Sequence, residues 1–197
     1  MLPKEFESLK SILTQCPSIS SKQANKIVSF LLNSDYDLVK KRVNEFLEIL
    51  NQIKDCEICG YYSVDKLCKI CSSSTRINKL MIVENNDQIQ KYEEWKIFNG
   101  KYFKMPILFN KKFERIESNF DFNNLLDYVD NFNEIIIGLS PTAEGVLTSN
   151  LIFDTIKKEK PNINISSLAI GIPMGSSIDY MDQLTISYAI KNRKDIK

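Results

Sequence analysis

Apolar residues recur at helical spacing through the first 53 positions of the chain. Phe6, Leu9, Ile12 and Leu13 share one face of a helix predicted over residues 4–15. It stops near Cys16-Pro17, because the residue before a proline is pushed out of the α region. A second helix is predicted after Ser20, where Ser20-x-x-Gln23 has the form of a capping box. Ala24, Ile27, Val28, Leu31 and Leu32 form its apolar stripe, and Lys22, Asn25 and Lys26 lie on the opposite face. Ser34 is the candidate cap of a third helix, along which Leu38, Val43, Phe46, Leu50 and Ile53 recur.

Past residue 78 the pattern alternates between strand and helix. Lys79 to Glu84 reads as a short buried strand, 87–97 as helix, 101–109 as extended and aromatic-rich, and 121–132 as helix through Leu125, Leu126 and Val129. Glu134 to Leu139 is a strand that Ser140–Gly145 turns into a helix running to about Lys160. Residues 162–170 read as strand, Gly171–Gly175 as a loop, and 182–193 as the last helix. Such alternation predicts an α/β fold with a parallel sheet covered on both faces.

The segment between the two regions carries the most specific chemistry. Residues 56–71 read C-E-I-C-G-Y-Y-S-V-D-K-L-C-K-I-C, two C-x-x-C pairs that use four of the five cysteines. Zinc favours four tetrahedral ligands with thiolate sulfur at about 2.3 Å, and two C-x-x-C turns supply such a set. Cys56, Cys59, Cys68 and Cys71 are therefore the expected ligands of one structural zinc, with no position left open for a substrate. Gly60 suits the tight backbone of the first turn, and a small hairpin is expected over Tyr61 to Lys66. Disulfides would need an oxidising compartment, and a redox dithiol would show a single C-x-x-C at a strand–helix junction. Cys16 has no such partner and reads as a small core or turn residue.

Composition narrows the function classes. The chain of 197 residues has 43% hydrophobic and 26% charged residues, ordinary values for a globular protein. A formal net charge of +1 does not point to nucleic acid, although a near-neutral total can hide a basic face. The chain has no histidine, which removes Ser-His-Asp triads, Cys-His pairs and histidine metal sites. The amino-terminal residues do not read as a signal peptide, and no apolar run approaches the roughly 20 residues of a membrane span. Together with reduced cysteines, this predicts a cytoplasmic protein with no membrane partner.

Two further residue pairs stand out. Helix, tight turn and second helix, with Lys22 and Lys26 near the second start, describe a helix-hairpin-helix element. In such an element backbone amides and the positive helix end meet a DNA phosphate. The turn Pro17-Ser18-Ile19-Ser20-Ser21 lacks the glycines that close backbone approach normally uses, and a helical pair with solvated lysines fits the residues equally. Glu84 and Glu144 fall at the carboxyl ends of strands, where polar site residues of parallel sheets gather. A magnesium site would need further carboxylates, and no Asp-x-Asp follows Val83 or Leu139.

The order of these pieces resembles the bacterial RecR family of recombination proteins over nearly the whole chain. Pro141-Thr142-Ala143-Glu144-Gly145 is similar to the family's N-P-T-x-E-G. Gly171-Ile172-Pro173-Met174-Gly175 with Asp179-Tyr180-Met181-Asp182 resembles its G-[IL]-P-x-G…[ED]-Y-x-D segment. Val83-Glu84 matches the strand that opens a Toprim unit. Ser18 and Ser20 stand where the family's hairpin has glycines, Ser140 replaces an asparagine, Val146 replaces an acid, and Met105 to Ser118 takes the place of a glycine-rich loop. The resemblance implies a helix-hairpin-helix region over 1–55, a four-cysteine zinc knuckle over 56–78, a Toprim-like domain over 79–170 and a C-terminal segment over 171–197. It implies a non-enzymatic mediator of recombinational DNA repair that binds single- and double-stranded DNA, with Lys22 and Lys26 in the family's basic positions. Its partners would be RecO or RecF, in loading RecA on single-stranded gaps, and it would assemble as a dimer or tetrameric ring. Glu84 and Glu144 would then serve partner binding. The rival readings are a Toprim-type magnesium-dependent nuclease or phosphoryl transferase, and a zinc-stabilised interaction protein without DNA.

Overall fold

A helix needs a cap at its start and a face to bury, and the first region supplies both sparingly. The computed structural model describes residues 2–110, 112, 114–116 and 122–195. The chain divides into two compact units, Met1–Ile53 and Lys54–Lys197. The first holds α1 (Lys4–Thr14), α2 (Ser21–Leu32) and α3 (Tyr36–Gln52). The capping box at α2 forms as the sequence predicts: the Gln23 amide donates to Ser20 Oγ at 3.3 Å, and the Ser20 amide donates to Gln23 Oε1 at 2.8 Å. Ser18 adopts φ +65°, so at one of the two serines the turn keeps the left-handed conformation that glycine takes without strain.

The cap of α3 differs from the expected Ser34. Asp35 Oδ1 accepts the Leu38 amide at 2.8 Å, while Ser34 Oγ donates to the Phe30 carbonyl at 2.7 Å. A carboxylate is the stronger acceptor at the positive end of a helix, and the serine instead satisfies a carbonyl at the end of α2. Ala24 and Val28 are buried in this unit, whereas α3 buries none of its residues.

The second unit begins with β1 (Lys54–Asp55), β2 (Tyr62–Ser63) and α4 (Lys69–Ser72), then β3 (Lys79–Val83), α5 (Asn86–Trp95) and β4 (Lys101–Lys104). It continues with α6 (Asn123–Val129), β5 (Glu134–Ile137), α7 (Ala143–Glu159), β6 (Asn164–Ser167), a 3-10 turn at Ile178–Tyr180 and α8 (Gln183–Lys191). The helix expected over 121–132 is thus shorter, and residue 121 lies outside the described residues, as do 111, 113, 117 and 118 of the 105–118 segment. The strand order is β4-β3-β5-β6, every pairing parallel, with Leu80 opposite both Lys101 and Ile135.

Alternation along the strands sorts the core into two layers. Leu80, Ile82, Phe103, Ile135 and Ile137 face α6 and α7, meeting Leu125, Val129, Ile152 and Ile156. Met81, Val83 and Tyr102 face the other way, onto Ile89 of α5, Ile70 of α4 and the four clustered cysteines. Both faces of the sheet are covered at β3 and β4, as the strand–helix alternation predicts, whereas the edge strand β6 stays largely exposed. Each fully buried Leu or Ile contributes about 1.5–3 kcal/mol, so the stability of this unit rests chiefly on these two layers. A partly buried ion pair ties the second layer to the strand ends. Arg76 grips Glu93 with both guanidinium nitrogens at 2.7 and 2.5 Å, and Tyr102 Oη donates to the same carboxylate at 2.9 Å. The Arg76 guanidinium holds the Glu93 carboxyl below its ordinary range, with the Tyr102 hydrogen bond adding to the effect and burial opposing it. Among the described residues no helix is long and apolar enough to cross a membrane.

Candidate metal centre and the sheet's carboxyl edge

A C-x-x-C turn brings its two sulfurs together only if the backbone folds back within four residues. Here the Gly60 amide donates to the Cys56 carbonyl at 3.0 Å and Gly60 takes φ +73°, a conformation that side chains resist. The Cys56 amide then donates to the Tyr61 carbonyl at 2.7 Å, which returns the chain alongside its own entry. The hairpin expected within Tyr61 to Lys66 is therefore replaced by pairing of β2 with β1, with Asp55 opposite Tyr62. At the second turn, Cys68 caps α4 and its sulfur accepts the Cys71 amide at 3.4 Å.

The sulfurs of Cys56, Cys59, Cys68 and Cys71 all lie within 4.8 Å of one another, and all four residues are buried. Cys59 and Cys68 Sγ are 3.6 Å apart, and none of the five cysteines is in a disulfide. A tetrahedron with metal–sulfur bonds of about 2.3 Å has edges of about 3.8 Å, so the cluster has the size of a tetrathiolate shell. Its electrostatics point the same way. Hydrogen bonds from Cys59 and Cys71 pull the Cys68 thiol down to about 2. Cys59 is pushed up by its hydrogen bonds to Cys68 and Cys71 and by burial. Cys71 is pushed up to about 12, its lowering hydrogen bond to Cys59 being outweighed by Cys68 and burial. Among Cys59, Cys68 and Cys71 a thiolate at one position is favoured at the expense of its neighbours, and a divalent cation is the counter-charge that would let them ionise together. The residues fit a metal ion, and as a closed set of four they would hold it for shape and leave no place for substrate. Cys16 is exposed, in the turn after α1.

Contacts that sequence reading did not anticipate fasten the knuckle to the sheet. The Lys104 amide of β4 donates to the Cys59 carbonyl at 2.9 Å, Lys101 Nζ to the Cys71 carbonyl at 2.9 Å, and Lys104 Nζ to Asp55 at 3.0 Å. Tyr128 Oη of α6 lies 3.8 Å from Cys71 Sγ. Burial first, and then the neighbouring Cys71, pushes the Tyr128 hydroxyl up, which keeps it protonated and able to donate.

Glu84 and Glu144 lie at the carboxyl edge of the sheet, both half-buried. The Ser140 amide, just past β5, donates to a Glu84 carboxylate oxygen, and the Glu84 amide donates to Gln88 Oε1 at 2.8 Å. Part of Glu84 is therefore spent in joining the loops after β3 and β5, a tie that sequence did not reveal. Glu144 stands in the first turn of α7, capped by Thr142, whose Oγ1 accepts the Gly145 amide at 3.1 Å. Thr148 Oγ1, buried one turn on, donates to the Glu144 carbonyl and accepts the Leu108 amide at 3.1 Å, which anchors the segment that stands where a glycine-rich loop was expected. Among the described residues, the four cysteines alone form a cluster of three or more metal-ligating side chains. Lys22 and Lys26 are exposed on α2, Lys22 in its first turn, and neither enters a salt bridge among the described residues.

Comparison with known proteins decides the family. The family model described as RecR, C-terminal, matches residues 171–194. The recombination protein RecR of Mycoplasmopsis pulmonis is 35% identical over 182 residues, which is 92% of this chain and 94% of that protein. The chain belongs to the RecR family. The RecR of Finegoldia magna is 30% identical over 203 residues, covering 100% of this chain and 99% of its own, and that of Phytoplasma mali is 33% identical over 97% of this chain. The likeness therefore runs through the helical unit, the cysteine knuckle and the parallel sheet alike. Within the RecR frame, the 140–145 turn that holds Glu84 is the segment similar to the family's N-P-T-x-E-G, and the family-model match falls on the 3-10 turn and α8.

Proposed function

We propose that this RecR-family chain is a non-enzymatic, DNA-binding mediator of recombinational repair in the cytoplasm, acting with RecO or RecF to load RecA on single-stranded gaps. The observation that carries the reading is the match to recombination proteins over 92–100% of the chain. Support for a mediator without phosphoryl chemistry comes from the carboxyl edge of the sheet. Magnesium-dependent transfer requires several converging carboxylates, whereas Glu84 is engaged by the Ser140 amide and no third acid joins Glu84 and Glu144 in a cluster among the described residues. In this reading the proposed organisation is a helix-hairpin-helix over 1–55, a zinc knuckle over 56–78, a Toprim-like domain over 79–170 and a C-terminal segment over 171–197. The knuckle carries one structural zinc on Cys56, Cys59, Cys68 and Cys71, and the protein works as a dimer or tetrameric ring. A ring needs a basic inner face only, which suits a net charge of +1.

Lys22 and Lys26 are the proposed phosphate contacts, for both single- and double-stranded DNA. They lie one turn apart near the positive end of a capped helix, exposed and unpaired in salt bridges among the described residues. Replacing both with Ala should weaken binding on every sequence and flatten the plot of log affinity against log salt by about one unit per lost contact. An unchanged slope would show that the hairpin is only structural.

Glu84 and Glu144 are the proposed acceptors of Lys or Arg from the partner protein. Glu144→Ala should leave the fold and DNA binding intact while weakening partner association or recombinase loading. Full loading activity in that variant would remove Glu144 from the partner surface.

A further inference from the structure

Three of the four clustered sulfurs accept a backbone amide: Cys56 from the amide of Cys68 at 3.3 Å, Cys59 from that of Tyr61 at 3.4 Å, and Cys68 from that of Cys71 at 3.4 Å. Such bonds spread the negative charge of a thiolate and fix its orientation toward a metal. Cys71 differs. Among the described residues no backbone amide reaches its sulfur, and apart from the neighbouring thiols of Cys59 and Cys68 the polar group beside it is the hydroxyl of Tyr128, 57 positions along the chain on α6. That hydroxyl makes no other hydrogen bond among the described residues. The ring is held in place by Phe132, edge-on at 4.9 Å between centroids, and by Phe103, tilted at 6.2 Å. An O···S separation of 3.8 Å is long for a neutral thiol, and an anionic sulfur strengthens the bond.

We propose that Tyr128 is a positioning residue of the metal centre, whose hydroxyl donates to the Cys71 thiolate and supplies the hydrogen bond that the backbone gives the other three sulfurs. The proposal rests on the reading of the cluster as a metal site. It makes α6, on the far face of the sheet from α5, part of the metal's outer shell, so that metal retention depends on an element remote in sequence from both C-x-x-C pairs. The hydroxyl carries this role, and the ring contributes packing.

Tyr128→Phe separates the two, because it keeps the ring against Phe103 and Phe132 and removes only the oxygen. The test loads the full-length protein with cobalt(II) and records the thiolate-to-metal charge-transfer band, then measures zinc release to a chelator in a competition titration. Removing a hydrogen bond from a thiolate raises its electron-donor strength, so the band of the variant should move to lower energy. Apparent zinc affinity should fall about 10-fold, as for other outer-shell partners. A band and an affinity equal to the wild type overturn the proposal, even if the melting temperature drops, since a purely packing role would move stability alone. Failure of the wild type to give a tetrathiolate cobalt spectrum would overturn the metal reading itself, and this proposal with it.

Discussion

Cys59→Ser is expected to lose its bound metal and to destabilise the whole second unit, while Cys16→Ser does neither. The wild type should contain about one zinc per chain, and the variant much less. The damage should spread because the knuckle is built into the core. Its four cysteines pack in the same layer as Met81, Val83, Ile89 and Tyr102, and the Cys59 carbonyl holds the Lys104 amide on the outer strand β4. Binding free energy for a structural zinc is folding free energy, so a loss of several kcal/mol is expected, each kcal/mol lowering the melting temperature by about 2–4 °C for a chain of this size. Metal content and thermal melts check this directly. Equal metal loss in Cys16→Ser, a residue of the exposed turn after α1, would remove the assignment.

Gly145→Ala should destabilise the protein, against what helix propensity alone predicts. Gly145 lies in the first turn of α7, and exchanging a helical Gly for Ala ordinarily stabilises by about 1 kcal/mol. Here a Cβ at position 145 would stand 2.0 Å from the Ser140 carbonyl oxygen, a backbone atom that cannot rotate away. The turn from β5 into α7 must open, and with it the bond from the Ser140 amide to Glu84. Overpacking of this kind costs about 1–3 kcal/mol, enough to outweigh the propensity gain and to loosen the proposed partner surface at Glu84 and Glu144. The urea midpoint should fall. A higher midpoint would show that propensity, not the close approach, governs the site.

Features set by residues close in sequence were legible in it, and features set by distant contacts were not. The paired C-x-x-C spacing announces a sulfur cluster because two short-range turns fix most of its geometry. Strand and helix order was legible for the same reason: the runs at 79–83 and 134–137 are nearly continuously apolar, the first buried on both faces and the second buried on one and half-buried on the other. The capping box at Ser20 and Gln23 was readable because its partners are three residues apart. Properties set by distant contacts were hidden. Nothing in the local pattern brings Ser140 to Glu84, Lys104 to Cys59, or Tyr128 to Cys71, at separations of 56, 45 and 57 residues. The cap of α3 went to Asp35 instead of Ser34 because two adjacent cap formers compete, and the choice depends on which carbonyl of α2 the serine can satisfy. The hairpin expected inside the knuckle failed for a similar reason. The Tyr61 carbonyl is taken by the Cys56 amide, which sets β2 against the strand before the first cysteine.

The central claim is that the chain binds DNA as a mediator and does not cut or join it. The most direct measurement is a salt-titrated binding assay on a labelled gapped duplex with magnesium present, with the DNA recovered and sized afterwards. The account predicts binding whose log affinity falls linearly with log salt, and DNA that is recovered intact. Magnesium-dependent cleavage or joining by the wild type, lost in Glu144→Ala, would contradict it, as would the absence of binding at low salt.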